Sequence, residues 1–140
     1  MFLEVDDPRA LATALEALDL RFGSEPEPVT ITLLPQLDLP KEIEERLRAA
    51  LGAPKASESL WVLGGRAALE RRFLDAAEIY SRMPYRPAEA YARLRAAEQL
   101  VGEGRRAEAD DQLQRALGFW RAVAATRYIR HGVRLLAATA

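Results

Sequence analysis

The sequence predicts an all-α protein built from stacked helical hairpins, an α-solenoid, with extra helices before the hairpins and a capping helix after them. One observation is an internal period, because residues 71–80 align with residues 104–113 and Ala76 then matches Ala109. A period near 33 residues is typical of helical repeats. The second observation is apolar spacing at i, i+3, i+4 and i+7 on both sides of each expected turn, which predicts amphipathic helices.

In the first hairpin, small residues stand where two helices would touch. Gly64, Ala67 and Ala76 allow close approach of the backbones, and we expect Leu63 and Tyr80 to fill the space beside them. The stripe of the first helix comprises Leu60, Leu63, Gly64 and Ala67. The stripe after the turn comprises Phe73, Ala76, Ala77, Tyr80 and Met83.

The second hairpin repeats this pattern without copying it. Gly104 is expected to supply its turn. The stripe before the turn comprises Ala90, Leu94, Ala97 and Val101, and the stripe after it comprises Ala109, Leu113, Ala116, Leu117 and Trp120.

These residues resemble the tetratricopeptide repeat family. The first hairpin matches the family's spacing at Leu60, Leu63, Gly64, Ala67, Ala76 and Tyr80, with Pro87 near the repeat boundary. The second hairpin departs from the family pattern, since Ala97 stands in place of the family's glycine and Arg121 in place of its proline. We assign the second repeat mainly from Gly104, Ala109 and its periodicity. The resemblance implies a solenoid whose helical groove binds a protein or peptide.

The stretch from Ala76 to Ala138 also resembles the repeat region of bacterial multidomain signalling proteins. Such proteins join a nucleotide cyclase or a LuxR-type DNA-binding domain to a signal-transduction ATPase and a long repeat array. The resemblance is carried by six segments: Ala76 to Tyr80, Glu89 to Glu98, Gly104 to Asp110, Arg115 to Leu117, Ala125 to Arg130 and Leu135 to Ala138. It reaches no cyclase, ATPase or DNA-binding motif, so it implies only a regulatory or sensory segment.

Composition excludes several kinds of site. The chain of 140 residues suits one compact unit with a substantial core. The sequence contains no cysteine, which excludes disulfides, thiolate catalysis and cysteine metal sites. The formal net charge of −1 gives no signal for nucleic acid, and no apolar run approaches the ~18 residues that cross a bilayer. We expect a soluble cytoplasmic protein with no cofactor and no nucleic-acid or membrane partner.

Residues 1–56 are predicted to hold two helices joined by a proline-rich connector. The first helix begins at Asp6-Asp7-Pro8 and ends at Gly23, and the second begins at Asp38-Leu39-Pro40 and ends at Gly52. The buried stripe of the second comprises Ile43, Leu47, Ala50 and Leu51.

The connector, residues 24–40, holds four prolines and the alternating run of residues 29–33. Alternation is typical of a strand, but one strand has no partner inside an all-helical unit. Two interpretations remain open for residues 29–34: an extended connector packed on helices, or an arm that pairs with another chain.

Residues 57–140 are predicted to hold both hairpins and the capping helix. Ser57 is expected to cap the first helix, and Pro87 to lie at the start of the third. The first of these helices is expected to end at about residue 71. The next four are expected over residues 74–83, 88–101, 106–124 and 126–138.

Three possible chemical sites have simpler explanations. His131 is the only histidine and stands among arginines, so we interpret it as a surface residue rather than a catalytic or metal-binding one. Glu108 with Asp110-Asp111 fits a solvated helix start, where acids favour the helix dipole. Gly64-Gly65-Arg66 lacks the spacing of a phosphate loop and fits close helix packing. We therefore predict no enzyme, no metal site and no cofactor site.

Partner contacts are expected from the first helix of each hairpin. Trp61 lies one step off its apolar stripe, so it either faces the groove as a partner contact, or lies in the core or against the N-terminal helices. Tyr91, Arg93 and Arg95 lie on the matching helix of the second repeat, where the arginines either contact a partner or are solvated. The sequence contains no asparagine, which argues against the family's two-carboxylate clamp.

Three functions remain open at this point: an interaction module that binds a protein, a peptide or its own copy; a regulatory segment of a larger ATPase- or cyclase-linked signalling protein; and an enzyme. The first is favoured. Two repeats alone bury too little apolar surface for a stable fold, because at least three stacked repeats are usually needed for independent stability. We therefore expect the N-terminal helices to cover the open face of residues 60–80, either in the same chain or across a homodimer.

Overall fold

The computed structural model describes residues 41–56 and 58–139, and this part of the chain is all-helical, with no strand. The prediction of an all-α protein is confirmed there. The expected helix from Asp6 to Gly23 and the alternating run of residues 29–34 lie outside the described residues. The six helices are α1 Lys41–Leu51, α2 Leu60–Leu69, α3 Phe73–Ser81, α4 Arg86–Gly102, α5 Arg106–Ala122 and α6 Thr126–Thr139.

Helices that follow one another in the chain pack against one another, from α1 to α6. The helices α2 and α3 form one hairpin, and α4 and α5 form a longer one. The helix α6 packs on α5 and also contacts α4. The two predicted hairpins and the helix after them are therefore present as neighbouring pairs.

Three tight turns share one backbone conformation. The turns after α2, α4 and α5 each contain a residue in the left-handed region: Arg71 (φ 58°), Gly104 (φ 74°) and Ala124 (φ 53°). In each turn the next N–H donates to a carbonyl five residues back, the bond that defines a Schellman motif. These bonds are Arg72 N to Ala67 O, Arg105 N to Leu100 O and Ala125 N to Trp120 O, all 2.9 Å. The alignment of Arg71 with Gly104 therefore reflects two turns with the same hydrogen bonds.

A guanidinium group also spans each of the first two turns. Both groups bind one carboxylate before the turn and one after it, and these hydrogen bonds raise the pKa of both arginines. The hydrogen bond to Arg105 holds the pKa of Glu108 below its usual value. The contacts are Arg72 to Glu70 (2.7 Å) and Asp75 (2.6 Å), and Arg105 to Glu103 (3.0 Å) and Glu108 (2.7 Å).

The first hairpin is closely packed because a glycine faces a tyrosine. A Cβ added to Gly64 would lie 2.7 Å from Cζ of Tyr80, so only glycine allows the ring to lie against α2. Ala67, Ala76 and Tyr80 are fully buried, as the sequence predicts. Leu60 is partly buried against the same cluster, whereas Leu63 is only half-buried.

The second hairpin has a core of its own between α4 and α5. The predicted residues Ala109 and Leu113 are fully buried there. The neighbouring core residues are Leu94, Ala97 and Leu100, with Val101 partly buried beside them. Gly104 lies in the exposed turn, as expected.

The helix α1 covers α2 of the same chain, in agreement with one of the two arrangements expected for the N-terminal region. Leu47 and Leu51 pack against the first hairpin. Polar contacts hold the carboxyl-terminal end of α1, since Arg48 Nη2, in its last turn, donates to the Leu69 carbonyl at 2.8 Å. Arg66 Nη1 donates to the Gly52 carbonyl at 2.8 Å, and Gly52 ends α1 with φ 61°.

Five predicted helix ends are wrong by about two residues: the start of α2, the ends of α2 and α3, the start of α4 and the end of α5. The cap of α2 is Ser59 rather than Ser57, because the Ser59 Oγ accepts a hydrogen bond from the Val62 N–H at 3.4 Å. The helix α4 begins at Arg86, which puts Pro87 in its first turn, where proline is favoured. The helix α5 ends at Ala122, since Ala124 adopts the left-handed conformation.

Gly64→Ala is expected to lower the free energy of unfolding by about 1–3 kcal/mol, because the new methyl group collides with the Tyr80 ring. The matched control is Gly118→Ala in α5. Nothing lies within 4 Å of the Cβ position there, so alanine is expected to raise stability by up to about 1 kcal/mol. Urea unfolding measures both. If the two substitutions stabilise alike, Tyr80 does not lie against Gly64.

Ala124→Gly is expected to raise the free energy of unfolding by about 0.5–1 kcal/mol, because glycine adopts a positive φ without a Cβ penalty. Gly104→Ala is expected to lower it by about 1–2 kcal/mol for the same reason. Gly102→Ala, two residues before Gly104 and inside α4, is the control and should not destabilise. A destabilising Ala124→Gly would refute the left-handed turn.

Candidate functional site

The helix α4 is the centre of the described structure and is covered on nearly all sides. Its alanines Ala88, Ala92 and Ala96 pack with the first hairpin, while Leu94 and Ala97 pack with α5. Between its exposed ends, the partly exposed residues of α4 include Arg95, Glu98 and Gln99. A partner can therefore reach only a small part of this helix.

Arg93, which the sequence analysis places at a partner contact, lies in the interior. Its side chain is 3% exposed and binds groups from three helices. The partners are Glu89 Oε1 on α4 (2.8 Å), Gln112 Oε1 on α5 (2.7 Å) and Glu78 Oε1 on α3 (3.3 Å). These contacts use both the Nε and Nη1 donors, so Arg93 joins the first hairpin to the second.

Tyr91 is also buried, with 4% of its surface exposed. Its ring lies 4.6 Å from Trp120 and 5.0 Å from Tyr128, and Trp120 stacks on Tyr128 at 4.5 Å. Burial raises the pKa of the Tyr91 hydroxyl, and hydrogen bonding to Tyr128 adds to the effect. This aromatic cluster attaches α6 to α4 and α5, so the role that the structure gives Tyr91 is internal packing.

Trp61 is half-buried and contacts two tyrosines. Its ring centroid lies 6.4 Å from Tyr80 in the core and 5.4 Å from Tyr85 at the surface. Tyr85 is 41% exposed and precedes α4. Trp61 therefore packs on the core of the first hairpin with one side, while its other side meets an exposed aromatic ring.

Arg95 takes part in a row of polar groups between α4 and α6. Its Nη1 donates to Glu98 Oε2 at 2.8 Å, and its guanidinium lies 5.3 Å from the centre of the Phe73 ring. Glu98 Oε1 lies 2.8 Å from Nε2 of His131, whose side chain is 43% exposed. The structure thus places His131 at the surface, in contact with a carboxylate one repeat length earlier in the chain.

The remaining charged motifs are engaged in local contacts. Glu108 binds Arg105, and Asp111 Oδ2 lies 3.2 Å from Arg115 Nε. Gly64-Gly65-Arg66 lies inside α2, where Arg66 binds Glu58 and holds the pKa of that carboxyl below its usual value. Residues 41–56 and 58–139 contain no group of three or more histidine, aspartate or glutamate side chains that could hold a metal ion.

Comparison of the chain with protein-family models, curated proteins and solved structures finds no match. None of the six described helices combines the length and the apolar character that crossing a membrane requires.

The candidate site comprises two partly exposed groups of side chains, the pair Trp61 and Tyr85 and the polar row Arg95, Glu98 and His131. It offers aromatic faces, one guanidinium, one carboxylate and one imidazole. The sequence analysis missed Tyr85 and Glu98. Tyr85 could have been found from Pro84 and Pro87, since two prolines in such a short stretch favour a surface turn.

Arg93→Met is expected to lower the free energy of unfolding by on the order of 2–4 kcal/mol, because Glu89 and Gln112 lose their shared donor inside the fold. Adding Glu89→Gln should restore part of the loss, since no buried carboxylate then lacks a cation. Arg121→Met, at an exposed position of α5, is the control and should change stability by less than about 0.5 kcal/mol. Equal stability of the Arg93 and Arg121 variants would show that the hydrogen bonds of Arg93 do not contribute to the free energy of unfolding.

Proposed function

We propose that the chain is a tetratricopeptide-like interaction module that binds a protein or peptide without catalysing a reaction. The observation that supports this proposal most directly is the recurrence of one turn at Arg71 and Gly104. Both residues adopt the left-handed conformation, and both turns have the same backbone hydrogen bonds. Recurrent hairpins that stack on their neighbours build extended surfaces, and binding is the usual task of such surfaces.

The contact surface in this proposal is the candidate site on α2, α4 and α6. Its aromatic pair and its polar row supply the two kinds of group that dominate protein interfaces, aromatic rings and arginine. Trp61 and Arg95 remain the proposed contacts among the residues chosen from the sequence. Tyr91 and Arg93 are not proposed as contacts, because their side chains are buried within the chain.

A second copy of the chain is one partner that this surface could accept, which keeps the expected homodimer as part of the proposal. The resemblance of residues 76–138 to signalling repeats favours a second candidate, in which the module is a regulatory segment of an ATPase- or cyclase-linked protein. The two differ in whether the partner is a separate chain or a neighbouring domain. Both keep the module itself non-catalytic and cytoplasmic.

A photo-crosslinking amino acid at position 95 of the full chain tests this function. Position 114, an exposed site on α5, is the matched control. We expect position 95 to yield a crosslink to a defined segment of a partner, identified by mass spectrometry, and position 114 to yield none. Tyr85→Ala should reduce the yield. Sedimentation at micromolar concentration then distinguishes a self-crosslink from a different partner. Equal crosslinking from both positions would overturn the proposed surface.

A further inference from the structure

The turn between the two hairpins presents an aromatic ring to solvent. Tyr85 is 41% exposed, and its centroid lies 5.4 Å from that of Trp61 with 57° between the ring planes. Two rings tilted in this way form a shallow notch rather than a stack. Such notches, lined by aromatic side chains, accept the pyrrolidine rings of proline in extended peptides.

The notch is held in place before any partner arrives. Trp61 packs on the first core cluster and contacts the buried Tyr80 ring, so packing restricts the rotation of the indole. Pro84 and Pro87 restrict the backbone on both sides of Tyr85. A preformed surface loses little conformational entropy on binding, which favours affinity for a small ligand.

The surroundings of the notch are positively charged. Arg86 is 77% exposed, and its nearest carboxylate, Glu89 at 3.9 Å, is already bound to Arg93 at 2.8 Å. Arg82 is exposed and makes no ion pair within the part of the chain that the structure describes. Both guanidinium groups are therefore available to an incoming carboxylate, and the amino-terminal end of α4 adds to the positive potential.

We propose that Trp61 and Tyr85, flanked by Arg82 and Arg86, dock an extended partner segment in which prolines alternate with acidic residues. The proposal rests on the proposed function and names the chemistry of its partner. Prolines occupy the aromatic notch, and the acidic side chains pair with the two arginines. An extended proline-containing segment suits this site because its conformation is set before binding.

The chain itself contains a short segment of this composition, Glu25-Pro26-Glu27-Pro28. The test must therefore separate a partner from the chain's own segment. Replacing both acids, in Glu25→Lys/Glu27→Lys, changes that segment without touching the proposed site.

The experiment measures the anisotropy of a fluorescein-labelled peptide of six Glu-Pro units as the full chain is added at low salt. We expect saturable binding that weakens as the ionic strength rises, because the charges involved are exposed. A peptide of six Lys-Pro units should not bind. A peptide of six Glu-Ala units should bind about tenfold more weakly, the loss typical of one good aromatic contact.

Variants locate the site. Tyr85→Ala and Arg82→Glu/Arg86→Glu should each weaken the Glu-Pro peptide about tenfold or more, whereas Tyr85→Phe should retain binding. Arg134→Glu is the control for charge at an exposed position, on α6 beside residues that pack at the opposite end of the second hairpin, and should bind as the unchanged protein does. Circular dichroism melts confirm that each variant is folded; the exposed positions of Tyr85, Arg82 and Arg86 make unfolding an unexpected result.

Four outcomes would overturn the proposal: no binding of the Glu-Pro peptide, equal binding of the Lys-Pro or Glu-Ala peptide, full affinity of Tyr85→Ala, or equal weakening by Arg134→Glu. A tenfold gain in affinity from Glu25→Lys/Glu27→Lys would assign the site to the chain's own segment and so overturn a separate partner. A crosslink from position 95 together with a failed peptide titration would leave the interaction module standing and refute only the chemistry assigned to its partner.

Discussion

The left-handed residue in each tight turn is the constraint on which the arrangement of helices depends. Because Arg71, Gly104 and Ala124 take similar positive φ values and are followed by the same backbone hydrogen bond, the chain reverses direction in the same way after α2, α4 and α5. Each helix then lies along its neighbour from the turn onwards. Small residues are required where a helix lies close to its neighbour. In the first hairpin, Gly64 leaves room for the Tyr80 ring to lie against α2.

A helix enclosed by this arrangement must satisfy its polar groups internally. The helix α4 carries Arg93 into the space between α3 and α5, where it binds two carboxylates and an amide. A buried charge of this kind adds little net stability over an apolar side chain but is costly to leave without partners. The pairing therefore penalises any arrangement in which the two hairpins shift along one another, and the aromatic cluster of Tyr91, Trp120 and Tyr128 does the same for α6.

The surface available for binding consists of side chains that helix packing does not cover. Because α4 is mostly enclosed, the accessible aromatic and charged groups lie at the short turn before it and along the strip beside α6. Tyr85 is exposed at that turn, and Trp61 links it to the buried Tyr80. Binding at this position would draw on the rigidity of the first hairpin, since the notch and the core share Trp61.

The sequence by itself determined the helical class, the two hairpins, the turn at Gly104 and the buried roles of Ala67, Ala76, Tyr80, Ala109 and Leu113. These features are local or periodic, and spacing along one chain is enough to predict them. It did not determine which side chains of α4 face outward. That helix is covered from three directions, so one apolar stripe does not separate an exposed Arg95 from a buried Arg93, and Glu78 and Gln112, which bind Arg93, lie on other helices. The burial of Tyr91, the pairing of His131 with Glu98 and the exposed pair of Trp61 with Tyr85 were decided by the tertiary structure, because each depends on residues that only helix packing brings together.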